Sequence, residues 1–128
     1  MSHIKSKNTK PEVLVRRFLF AHGFRFRLHR KDMPGKPDIV LPKYKTAIFI
    51  NGCFWHGHQN CKYATIPETN REFWHTKING NIERDAKNYS LLRAAGWNVV
   101  DIWQCQLKPK QRELTLEHLI TTLANEQR

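Results

Sequence analysis

The segment Asn51-Gly-Cys-Phe-Trp-His-Gly-His-Gln-Asn-Cys61 constrains this chain more than any other. It places two cysteines, two histidines and an adjacent Phe-Trp pair directly after the apolar run Thr46-Ala-Ile-Phe-Ile50. A short apolar run ending in turn-forming residues reads as a buried strand. The ligand-rich segment therefore leaves a strand end, and its composition suits a metal site and an aromatic wedge better than a hydrophobic core.

The rest of the pattern frames that strand. Pro11 after Asn8-Thr9-Lys10 suits the first turn of a helix, and Val13, Leu14, Phe18, Leu19 and Ala21 before Gly23 predict one over about 10–22. Phe24-Arg-Phe-Arg-Leu28 alternates apolar and basic residues as a half-buried strand does, and Met33-Pro-Gly-Lys-Pro37 is a turn. Asp38-Ile-Val-Leu41 predicts a second strand and Lys45–Ile50 a third, more deeply buried, with Pro42-Lys43-Tyr44 as the hairpin connection. From Asn70 to Ala95 the apolar spacing turns helical, with Gly80 expected to break or kink the helix and Gly96 placed to end it. Trp97–Trp103 reads as a strand, and a last helix covers about 114–125. The order is α-β-β-β-α-β-α. At 128 residues, a single α/β domain over 1–128 is expected, with a core that needs no disulfide.

Charge narrows the partner. The chain carries a formal +11, with 22 Lys and Arg against 11 acidic residues, which points to a polyanion, nucleic acid first. A membrane surface fits less well, because the basic residues are spread along the chain and no apolar run approaches about 18 residues. The N-terminal residues show neither an apolar signal segment nor a cleavage site, so a cytoplasmic protein is expected. Three cysteines cannot all pair within one chain, and in a reducing compartment they more often bind metal or lie buried.

Cys53, His58 and Cys61 have the spacing C-x4-H-x2-C, and Cys105 follows the strand that ends at Trp103. Two neighbouring strand ends would bring these four together as a closed tetrahedral zinc site, whose binding free energy would help fold an irregular loop. The competing reading is three unrelated buried cysteines. Asp38 opens a strand beside the end of the next, where a carboxylate suits magnesium; a turn-capping role is the commoner fate of a Pro-Asp pair. His56 lies out of step with the proposed ligands and is a candidate to take a proton from water, or else a zinc ligand in place of His58. Glu12, with His3 or His22, is a candidate to assist near the site, although Glu12 also suits a helix first turn. Asp101 reads as structural. Phe54 and Trp55 are candidates for a wedge between base steps, but on residue chemistry alone packing in the core is favoured.

Met33-Pro-Gly-Lys-Pro-Asp38, Asn51-Gly-Cys-Phe-Trp-His-Gly-His58, Asn81-Ile-Glu-Arg-Asp85, Gly96-Trp97 and Ile102-Trp-Gln-Cys105 together resemble the very short patch repair endonucleases. The resemblance runs from about Ile4 to Leu107. It implies a restriction-endonuclease-like core, a central mixed β-sheet flanked by helices, with a structural zinc site. It also implies a magnesium-dependent nickase that cuts 5′ to the thymine of a T:G mispair left by deamination of 5-methylcytosine. Such an enzyme works beside a cytosine-5 DNA methyltransferase, acts on double-stranded DNA in the bacterial cytoplasm and nucleoid, and needs only a monomer. Carried over by motif, Asp38 and the Ile50 carbonyl would hold magnesium, His56 would activate water and Glu12 would support them. Cys53, His58, Cys61 and Cys105 would hold zinc, and Phe54 and Trp55 would intercalate, which reverses the core-first reading of that pair.

Three departures accompany the resemblance. The acid-x-lysine motif of ordinary restriction nucleases is absent, as it is from this family. Asn51 stands where some members have a histidine that assists the leaving group. The chain also starts well into the family's basic N-terminal arm, which implies a weaker grip on DNA. The alternatives are a zinc-stabilised DNA-binding protein without chemistry and a restriction-like nuclease acting on matched duplex.

Overall fold

The computed structural model describes residues 9–126. His3 and the basic N-terminal arm lie outside them. Three helices, α1 (Lys10–Ala21), α2 (Arg71–Ala94) and α3 (Arg112–Glu126), surround strands β1 (Arg27–Leu28), β2 (Ile39–Leu41), β3 (Thr46–Asn51) and β4 (Asn98–Trp103). The order is the one the sequence predicts. The strands form one mixed sheet, β1-β2-β3-β4, antiparallel across the first three and parallel between β3 and β4.

The start of α1 and the end of α2 have local causes. Thr9 caps α1 from extended backbone, its hydroxyl accepting from the Glu12 N–H at 3.4 Å, and Pro11 stands in the first turn. Val15 and Leu19 are fully buried on the helix face that also carries Glu12, so a carboxylate occupies a core-facing position. Gly96, at φ +92°, turns the chain from α2 into β4.

The sheet separates two cores. On one face Ile39, Leu41, Ile48 and Ile102 pack with Val15 and Leu19 of α1 and Leu116, Leu119 and Leu123 of α3. On the other, Val40, Ala47 and Phe49 pack with Met33 and with Leu92 of α2. Residues of β2 and β3 are therefore buried on both faces, which is why those segments read as continuous apolar runs rather than alternating ones. Parallel pairing of β3 with β4 requires a crossover, and α2 supplies it. Among the described residues no helix is long and apolar enough to cross a membrane.

Several boundaries differ from expectation. The first strand pairs only at Arg27–Leu28, not from Phe24; Phe24 and Phe26 still pack against the first core, so burial there is achieved without ladder bonds. Gly80 does not break α2, which runs continuously through it for 24 residues. The last helix starts at Arg112 rather than 114, after a 3-10 turn, Gln104–Leu107, that carries Cys105.

Two glycines should respond with opposite signs. Gly57 sits at φ +62°, and an added Cβ would lie 2.6 Å from Ile82 Cδ1 and 2.8 Å from Ile78 Cγ2. Gly57→Ala should lower the unfolding free energy by about 1–3 kcal/mol. Gly80→Ala meets nothing within 4 Å in a helix interior and should raise it by about 0.5–1 kcal/mol. Urea denaturation of both variants checks the pair.

Candidate functional site

The register Asn51↔Trp103 sets the ends of β3 and β4 side by side, so the loop that begins at Gly52 and the turn that begins at Gln104 leave the sheet together. Cys53 is buried, and its Sγ accepts from the Cys105 N–H at 3.4 Å. The Cys105 Sγ lies 3.4 Å from His58 Nδ1, and the ligand atoms of Cys53, His58, Cys61 and Cys105 all fall within 4.8 Å of one another. The His58 ring is stacked on Trp103, centroids 4.1 Å apart and planes 6° from parallel, which fixes its orientation. Desolvation pushes the Cys53 thiol up and the Cys105 thiol up to about 12, with the neighbouring sulfurs adding to the rise at Cys105. Sulfurs packed this closely ionise together only with a cation among them, and a three-thiol, one-imidazole set suits a closed tetrahedral site.

A second group lies beside the end of β3. Because β2 runs antiparallel to β3, Asp38 at the start of β2 stands beside the end of β3, and its Oδ2 accepts from the Ile50 N–H at 2.7 Å. Glu12 reaches it from α1 with only 2 % of its surface exposed. His29, beyond β1, places its Nε2 on the Glu12 carboxylate, and Arg16 Nη1 lies 3.6 Å from the same oxygen. Ligand atoms of Glu12, His29 and Asp38 lie within 4.8 Å of one another. Desolvation raises Asp38 to about 6; the Ile50 N–H opposes the rise and the Glu12 charge adds to it.

His56 projects toward this group. Its Nδ1 is 2.6 Å from Asp85 Oδ2 on α2, so the carboxylate orients the ring. Glu12, Asp38, Ile50, His56 and Asp85 line one cleft of about 500 Å³. With His56 held by Asp85, the Cys/His cluster contains His58 and not His56. His22 lies elsewhere, its Nδ1 bonded to the Phe18 carbonyl at 2.9 Å in a groove shared with Pro109 and Arg112. Asp101 is exposed on β4. Asn51 is buried and donates to the Tyr89 hydroxyl at 3.0 Å; burial raises that phenol to about 12 and keeps it protonated.

Phe54 and Trp55 belong to neither core. Both are half-buried and meet Trp74 of α2 edge-on, with centroids 5.3 and 5.8 Å from its ring, and Phe73 extends the group with 59 % of its surface exposed. Asn81 Nδ2 donates to the Trp55 carbonyl at 2.7 Å and ties the loop to α2. Sequence reasoning singled out Asn81–Asp85 as a motif but gave Asp85 no role, and it passed over Trp74 and His29. The spacing of Ile78, Ile82 and Asp85 on one helix face is the signal that points Asp85 at the loop.

A family model described as DNA mismatch endonuclease Vsr matches residues 1–63. The type II nicking enzyme V.NmeAIP of Neisseria meningitidis serogroup A is 56 % identical over 110 residues, covering 86 % of this chain and 78 % of the relative. V.XorIIP, a type II nicking enzyme of Xanthomonas oryzae pv. oryzae, is 48 % identical over 107 residues, covering 84 % and 78 %. The DNA mismatch endonuclease Vsr of Escherichia coli K12 is 38 % identical over 123 residues, covering 96 % and 78 %.

Two outcomes follow from this geometry. Cys105→Ser should lose bound metal, read by atomic absorption, and lower the melting temperature by about 10 °C; unchanged metal content would remove Cys105 from the ligand set. Asp38, raised in the fold, holds a proton there that the unfolded chain has released, so its contribution is complete below the ordinary 3.8 and is lost as pH rises through about 6. Without added divalent cation, stability to urea should therefore fall between about pH 4 and pH 6 by at most about 3 kcal/mol, at about 1.4 kcal/mol per pH unit. Asp38→Asn should remove that component.

Proposed function

The chain belongs to the Vsr family of DNA mismatch endonucleases, and we propose that it nicks one strand of duplex DNA 5′ to the thymine of a T:G mispair. The observation that carries this reading is that a single loop, 52–61, holds the aromatic pair, the Asp85-oriented histidine and three of the four metal-ligand candidates. Recognition and hydrolysis would then share one short piece of chain. The mispair would arise from deaminated 5-methylcytosine, in a cell that carries a cytosine-5 DNA methyltransferase. The protein would act as a monomeric single domain over 1–128, with a restriction-endonuclease-like core, in the bacterial cytoplasm at the nucleoid.

In the reaction, Asp85 accepts from the His56 Nδ1–H and leaves Nε2 as the free base. His56 takes one proton of a water whose oxygen attacks the scissile phosphorus in line; the bond from phosphorus to the 3′ oxygen breaks and that oxygen takes up a proton from solvent, giving a 5′-phosphate and a 3′-hydroxyl. The Ile50 N–H aims the Asp38 carboxylate, so that this side chain and the Ile50 carbonyl would hold magnesium. When bound, magnesium supplies positive charge against the phosphate and the leaving oxygen. Glu12 supports Asp38 from α1. Cys53, His58, Cys61 and Cys105 would hold zinc, which keeps the loop in shape.

Phe54 and Trp55, backed by Trp74, would press into the base stack, where a mispair opens at lower cost than a matched step. Lys and Arg side chains would hold the backbone with salt-sensitive, largely sequence-independent affinity.

Strand-resolved cleavage of duplexes carrying a central T:G pair in varied flanks, beside T:A and C:G controls, tests the proposal. A nick only 5′ of the mispaired thymine is expected with magnesium, reduced at least about 100-fold in His56→Gln and in Asp38→Ala. Equal cutting of matched duplex, or binding without cutting across all flanks, would overturn it.

A further inference from the structure

His29 has no role in that reaction, yet it meets the Glu12 carboxylate that stands beside Asp38. The left-handed backbone at His29, φ +51°, turns the chain out of β1, and its N–H donates to the Asp38 carbonyl at 3.1 Å. The imidazole is thereby directed into the interior, where Nε2 meets the almost fully buried Glu12 carboxylate. Two carboxylates and an imidazole, one from each of three separate segments, lie within 4.8 Å of one another beside the Ile50 backbone.

This donor set is not the one magnesium prefers. Magnesium takes oxygen ligands in a near-ideal octahedron and keeps most of its water. Imidazole nitrogen favours the later first-row divalent ions, whose affinity for nitrogen rises above that of magnesium. Manganese tolerates both donor types. Arg16 and His29 both meet the Glu12 carboxylate, and a cation set between the three side chains would replace the His29 contact as their bridge.

We propose that His29 is a nitrogen ligand of the divalent-cation site it forms with Glu12 and Asp38, so that the site accepts magnesium but binds manganese more tightly. The proposal rests on the reading of Asp38 as the metal-bearing carboxylate, and it makes His29 the residue that sets cation preference in this chain.

The test uses zinc-loaded protein without DNA. Binding of Mn2+ is followed by loss of the free-ion electron paramagnetic resonance signal, with Mg2+ added in competition, and directly coordinated nitrogen is read by pulsed resonance from its 14N couplings. Mn2+ should bind at least about tenfold more tightly than Mg2+, with a 14N coupling present. His29→Gln should abolish the coupling and weaken Mn2+ at least about tenfold while changing Mg2+ affinity less than about twofold; circular dichroism melting establishes that the variant is folded. His56→Gln, which removes the imidazole that lines the cleft beside Asp38, should keep the coupling.

A coupling that survives His29→Gln, one that vanishes in His56→Gln, or an equal loss for both ions would overturn the proposal and leave His29 as a support for Glu12. Because no cleavage is measured, the two readings separate. Nicking at T:G without a His29-dependent coupling removes this inference alone. A His29-dependent coupling without mismatch nicking removes the proposed reaction and keeps the cation site.

Discussion

The parallel pairing of β3 with β4 is the constraint on which the rest depends. Its register, Thr46↔Asn98 through Asn51↔Trp103, fixes where two chain exits stand relative to each other. Strand side chains alternate with period two, so a slip of β4 by one residue would turn Ile102 away from the first core and carry Cys105 off Cys53. The same pairing requires a long crossover, and the helix that provides it delivers Asp85 and Trp74 to the loop and Tyr89 to Asn51 at the end of β3. One hydrogen-bonded ladder thus organises both clusters of ligand-type side chains.

The carboxylate cluster exploits the opposite strand direction. The antiparallel β2 starts where β3 ends, which lets Asp38 reach the Ile50 N–H, and α1 packs across the same edge with Glu12 on its buried stripe. Desolvation in this corner opposes ionisation of Asp38, and the second carboxylate, Glu12, adds to the rise. The fold holds that arrangement with hydrogen bonds from Ile50 and His29 and with Arg16 rather than by leaving it in water.

Much of this was legible in the sequence, and the parts that were not have a common cause. The order of elements followed from local periodicity, and the convergence of Cys53, His58, Cys61 and Cys105 from their spacing at two predicted strand ends. Asp85 and His29 were missed as partners because their meaning comes from His56, 29 positions away, and Glu12, 17 positions away. No local pattern encodes those distances. Phe24–Leu28 looked like a full strand because alternation reports which side chains turn toward the core, and Phe24 and Phe26 are half-buried there without pairing. Residue chemistry favoured a core position for Phe54 and Trp55, since most aromatics in a small domain are packed; their rings instead pack on Trp74 outside both cores, on a helix whose position only the crossover reveals.

Phe54 and Trp55 lie in unbroken covalent sequence between Cys53, anchored at the sheet end, and His56, anchored on α2. In a segment held at both ends, displacement of the rings would be passed on to the imidazole. In the proposed enzyme, a duplex that resists the rings would still be held through its backbone, but with His56 displaced, and a misplacement of about 1 Å costs on the order of 100-fold in rate. Such a device would discriminate by turnover rather than by affinity: matched DNA would occupy the protein and be released uncut.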